Sequence, residues 1–185
     1  MHELDPDRAT WHITWGTHAA RLHGGDRPTV DRKENNPGDA FVDRDEKREH
    51  YEKNIARSKA VILTEAQRAH IERVIPGLCE RGGWTYRTCS AGVEGDHAHV
   101  LLDVPRDVHG KQVRNLLKRW LTQSLETVWD KPECGAWWAD GGSTKVVDNN
   151  AYLNRVHPYI ENQRTTPPDS VHSEPERHFR GPRSG

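Results

Sequence analysis

The chain has 185 residues, enough for one compact domain with extensions and too few for two ordinary ones. Hydrophobic residues make up only 33% and mean hydropathy is −0.96, so part of the chain has no core to join, and no apolar run reaches the length of a membrane span. The formal charge of −1 does not mark a nucleic-acid binder by itself, and the three dispersed cysteines read as reduced thiols of a cytoplasmic protein rather than a disulfide framework.

Thr10 to Ala19 alternates aromatic and β-branched residues and predicts a first strand. Residues 21–57 are poor in aliphatics and read as an inserted polar loop, with a short helix around Asp45 to Arg57. Thr64 is placed to cap a helix that carries Ala66, Ala69, Ile71, Ile75 and Leu78 at helical spacing, with Pro76 bending its last turn and Gly82–Gly83 ending it. Trp84 to Ala91 and Ala98 to Val104 predict a hairpin. From Lys111 to Trp129, apolar residues recur at helical intervals. A short strand follows near Ser143 to Val147, then Asp148, Asn149 or Asn150 caps a last helix, AYLNRVHPYIENQR. The proline-containing residues 165–185 read as a disordered tail, which leaves 1–164 as the folded domain. This order predicts an α+β fold, an antiparallel sheet covered by helices.

Two sequence features carry chemistry. His97 and His99 lie two apart in a predicted strand, so their imidazoles project from one face and can share a divalent metal. In a chain with twelve histidines that signal alone is weak. Tyr159 and Gln163 lie four apart in a predicted helix, which sets a phenol beside a carbonyl donor. A phenol is a poor nucleophile until its proton is withdrawn or its target polarised, and a metal on a phosphate oxygen does the latter. Tyr152 competes for the nucleophile's role, but its neighbour four residues on is Val156, which cannot ligate. Residues 105–125 hold five basic side chains against Asp107 alone, and Lys111, Arg114, Lys118 and Arg119 are candidate contacts to a DNA backbone. Trp137 and Trp138 are candidates for stacking on unpaired bases or for the core.

Taken together, WHITWGTHAARLHG, DHAHVLLDV, KQVRNLLKRWLTQSL, WWADGGSTKVVDN and YIENQ resemble the single-tyrosine HUH transposases, the insertion-sequence 200/605 type and especially the REP-associated tyrosine transposases. The pieces stand in family order across residues 10–164. Ala98 between the histidines and Pro158 before the tyrosine depart from the common pattern. The resemblance implies a ferredoxin-like core, His97, His99 and Gln163 as ligands of Mg²⁺ or Mn²⁺, and Tyr159 as nucleophile. It also implies cleavage and rejoining of single-stranded DNA, often beside a hairpin, through a 5′-phosphotyrosine intermediate, by a monomer or a homodimer. Two rival readings are a domesticated binder that no longer cleaves, which Pro158 keeps open, and a relaxase-type nuclease, which the short chain and lone Tyr–Gln pair disfavour. A metal-dependent hydrolase is the weakest, because no general-base carboxylate is evident near the histidines, Asp96 and Asp103 being the nearest.

Overall fold

The computed structural model describes residues 2–20 and 60–165. The whole inserted polar loop, 21–57, with its predicted helix at 45–57, and the tail beyond Thr165 lie outside the described residues. The elements run β1 (Arg8–Gly16), α1 (Glu65–Arg81), β2 (Thr85–Ser90), β3 (His97–Pro105), α2 (Gly110–Leu125), β4 (Ser143–Val147) and α3 (Asn150–Glu161). The fold is α+β: a four-stranded sheet in the order β2-β3-β1-β4, antiparallel throughout, with three helices.

β1 shows why the sheet has two unlike faces. Trp11, Ile13 and Trp15 point one way; His12 and Thr14 point the other. The aromatic face joins Val100, Leu102 and Val104 of β3 in the main core, which α1 and α2 close with Ile71, Ile75, Val113, Leu117 and Leu121. Burying each such aliphatic contributes about 1.5–3 kcal/mol. α2 approaches closely because Gly110 has no side chain: a Cβ there would lie 2.5 Å from the Trp11 ring. The opposite face carries His97, His99, Leu101 and Asp103, and α3 covers it with Leu153, Val156 and Ile160 packed on Leu101 and Val147.

Local chemistry sets the element ends. Thr64 and Gln67 form a reciprocal capping box at the start of α1, and α1 continues through Pro76 to Arg81. α2 stops at Leu125, short of the predicted Trp129, where the Glu126 N–H bonds to both Thr122 and Ser124 carbonyls and tightens the turn. Asn149 supplies the cap of α3, accepting from the Tyr152 N–H. α3 continues through Pro158 but ends at Glu161, so Gln163 lies in the turn after the helix, with its N–H on the Ile160 carbonyl. Beyond that turn, the Thr165 N–H is caught by the carboxylate of Glu72, a fully buried residue of α1 that also accepts from the Ala91 N–H. The first strand ends at Gly16, with Thr17 bridging to Trp138.

Candidate active site

Antiparallel pairing of β1 with β3 sets Thr14 opposite His99 and His12 opposite Leu101, so both His12 and Thr14 share the face of the histidine pair. His97 and His99 are almost fully buried, with ring centroids 4.7 Å apart and planes nearly perpendicular. α3 brings Tyr159 to the same place: its ring stands 5.7 Å from that of His99, edge to face at 79°. Tyr159 is nonetheless 53% exposed, so its ring is open to solvent.

Each imidazole has a partner at its Nδ1. His97 Nδ1 bonds to the carboxylate of its neighbour Asp96, which is itself buried. That contact places the ring's proton on Nδ1, the tautomer in which an imidazole can ligate through Nε2. His99 Nδ1 lies 2.9 Å from Thr14 Oγ1 and 3.2 Å from His12 Nε2. Gly92 makes room for the His97 ring: at φ +63°, a Cβ on it would sit 2.7 Å from His97 Cε1.

Two imidazoles on one sheet face are donors that a divalent cation could use. Among the described residues no group of three or more His, Cys, Asp or Glu side chains is arranged to hold a metal. Two imidazoles therefore need partners of another kind, a carboxamide or a phosphate oxygen. Gln163 is half-buried in the turn that follows α3, four residues past Tyr159.

Tyr152 occupies a different environment from Tyr159. Its hydroxyl lies 3.1 Å from His12 Nδ1, and its ring carries Lys145 Nζ at 4.7 Å and the Arg155 guanidinium at 5.3 Å. Burial pushes its pKa up, against the opposing charge of Arg155. Burial also pushes His12 down to about 4, with Lys145 opposite it on β4 adding to the effect. His12 is thus neutral near pH 7.

The basic residues of α2 divide into two kinds. Arg114 is buried and donates to the Gly142 carbonyl at 2.6 Å; Lys118 donates to the carbonyls of Ala139 at 2.6 Å and Gly141 at 3.3 Å. Both hold the loop that leads into β4. Lys111 and Arg119 are exposed. All four belong to a helix packed on the aromatic face of the sheet, across from the histidine pair. Trp137 and Trp138 are both buried, Trp138 edge-on to Trp15 and donating its Nε1–H to Lys118 O and Thr122 Oγ1. Asp103, one of the two nearest carboxylates, is taken up by Thr10 and Arg87.

Sequence reasoning did not find His12, Thr14, Lys145 or Arg155. The alternation His12-x-Thr14 in β1 was a usable signal once β1 is paired with the His97-x-His99 strand.

Among the described residues no helix is long and apolar enough to cross a membrane. No protein family matches the chain, and no curated protein does. Among solved structures, one similar chain is described as a "putative transposase" from Deinococcus radiodurans; it is 12% identical, with 90% of this chain and 100% of that chain covered and a TM-score of 0.40.

Proposed function

We propose that the protein is a transposase-like strand transferase, which cleaves and rejoins single-stranded DNA with Tyr159 as nucleophile and a divalent metal as aid. The observation that carries the reading is the meeting of three residues on one sheet face: an exposed tyrosine edge-on to a buried pair of imidazoles. The motif resemblance of residues 10–164 supports it. So does the strand order β2-β3-β1-β4 over a βαββαβ succession, which is the split arrangement of a ferredoxin-like core.

In this reading His97 and His99 would hold Mg²⁺ or Mn²⁺ through Nε2, with Gln163 as a third ligand. When bound, the cation would draw charge from a phosphoryl oxygen and make phosphorus easier to attack. The Tyr159 oxygen forms a bond to phosphorus as the bond to the 3′ oxygen breaks. The phenol proton passes to water, and the departing 3′ oxygen takes one up as a free hydroxyl. The product is a 5′-phosphotyrosine, and attack by a 3′-hydroxyl reverses the step and rejoins the strand. Asp96 contributes by keeping His97 in the ligating tautomer.

Substrate contacts follow from the placement of charge. Lys111 and Arg119 remain the exposed candidates on α2, while Arg114 and Lys118 have head groups bound to carbonyls. Lys145 and Arg155, beside Tyr152, stand on the face of the histidines and are the nearer cations for phosphates entering the site. A cytoplasmic setting and a monomeric or homodimeric state complete the reading.

The test is cleavage of a labelled single strand beside a hairpin, with Mn²⁺, compared with the same sequence fully paired. Cleavage confined to the single strand, and lost in His97→Ala and His99→Ala with the fold intact, is the expected result. Wild-type rates in both variants would remove the histidines from the mechanism.

A further inference from the structure

We propose that His12 is a positioning residue that sets the tautomer of His99, with Tyr152 holding His12 in turn. The inference rests on the reading of His97 and His99 as metal ligands, and it concerns residues to which that reading gives no role.

The geometry is a continuous hydrogen-bonded chain. Tyr152 Oη lies 3.1 Å from His12 Nδ1, and His12 Nε2 lies 3.2 Å from His99 Nδ1. Thr14 Oγ1 lies beside the junction, 2.9 Å from His99 Nδ1 and 3.4 Å from His12 Nε2. The two imidazoles stack at 5.3 Å and 27°, so neither ring turns without disturbing the other. β1 and β3 impose this arrangement, since their register sets Thr14 opposite His99 and His12 one pair further along the same face.

Such a chain has two proton settings. In the first, His99 Nδ1–H donates toward Thr14 and His12 Nε2, and His12 Nδ1–H donates to the Tyr152 oxygen. His99 Nε2 then keeps a lone pair for a metal. In the second, the Tyr152 O–H donates to His12 Nδ1, and His12 Nε2–H donates to His99 Nδ1. His99 Nε2 then carries the proton and cannot ligate. A neutral imidazole has one N–H, so the settings exclude each other. His97 has a carboxylate acceptor on Nδ1, which admits only the ligating form. For His99 the corresponding nitrogen meets an imidazole and a hydroxyl, so its tautomer changes together with that of His12, and the first setting is the one that the ligand reading of His99 requires.

The experiment uses the full chain in two measurements: long-range proton–nitrogen correlation NMR of the imidazoles without metal, and Mn²⁺ binding by electron paramagnetic resonance. The variants are His12→Phe, which keeps a ring without nitrogens, and His12→Gln, whose amide can accept at the same reach. Wild-type protein should show His99 with its proton on Nδ1. His12→Phe should give mixed tautomers and weaken Mn²⁺ binding roughly 10- to 100-fold, the range for loss of a ligand's outer partner. His12→Gln should recover most of both. An unchanged tautomer with Mn²⁺ affinity within about twofold in His12→Phe would overturn the proposal. So would a loss of the tautomer in Thr14→Val alone, which would give the hold to Thr14. Absence of Mn²⁺ binding by the wild type would refute the metal reading itself, whereas the tautomer spectra of the metal-free variants decide the role of His12 separately.

Discussion

The Tyr159 ring meets the His99 imidazole edge-on, 5.7 Å between centroids, although the two residues lie sixty positions apart on different elements. The contact exists because α3 packs its apolar stripe, Leu153, Val156 and Ile160, onto Leu101 of the strand that carries both histidines. Ile160 is fully buried beside Tyr159, so the helix cannot rotate the phenol away without exposing its own core.

Gly92 should be indispensable to the histidine site and dispensable to the fold. An added Cβ would meet the His97 ring at 2.7 Å, and φ +63° adds roughly 1–2 kcal/mol of backbone strain for a non-glycine residue. Gly92→Ala should therefore stay folded, with a modest drop in melting temperature, while His97 moves off Asp96. Mn²⁺ titration against wild type checks this; unchanged affinity would show that the ring has room.

Stability should depend on His12 through a defined pH window. Its folded pKa lies at about 4 and an unfolded histidine titrates near 6.5, so between these values the unfolded chain binds the extra proton. Folding stability therefore falls as pH drops through that window, by on the order of 3 kcal/mol, and His12 adds no slope above it. Urea midpoints at about pH 7.5 and about pH 4.5 should converge in His12→Gln relative to wild type. His70 and His157, also lowered by burial, retain a residual slope. An identical fall in the variant would contradict the assignment.

Arg114 and Lys111 should separate fold from substrate binding. Arg114→Ala removes a buried cation's bond to the Gly142 carbonyl and should cost about 1.5–3 kcal/mol of stability. Lys111→Ala combined with Arg119→Ala should leave stability within about 0.5 kcal/mol, since both side chains are exposed. Denaturant unfolding of the three proteins distinguishes these roles.

Much of the fold was legible in the chain because its signals are local. The Thr64–Gln67 capping box, the helical spacing of Val113, Leu117 and Leu121, and the β-branched runs of the hairpin each act within a few residues. The turn after α3 was misread, since no glycine or proline stops the helix after Glu161. Tyr159 and the histidine pair stand out in the sequence and the fold brings them together, yet the His12–His99 contact spans 87 residues and depends on strand register, which a single sequence does not display. The charges of Arg114 and Lys118 were equally visible, but not the carbonyls of 139–142 that occupy them.

The central claim is that Tyr159 becomes covalently joined to DNA. The most direct measurement is a denaturing gel of protein incubated with labelled hairpin-flanked single-stranded DNA and Mn²⁺. Wild type should give an adduct that survives denaturation, and Tyr152→Phe should give the same adduct in lower yield, since it keeps Tyr159 but loses the hydroxyl beside His12. Tyr159→Phe should give none while still binding the strand. An adduct persisting in Tyr159→Phe would contradict the account, and so would the absence of an adduct from the wild type.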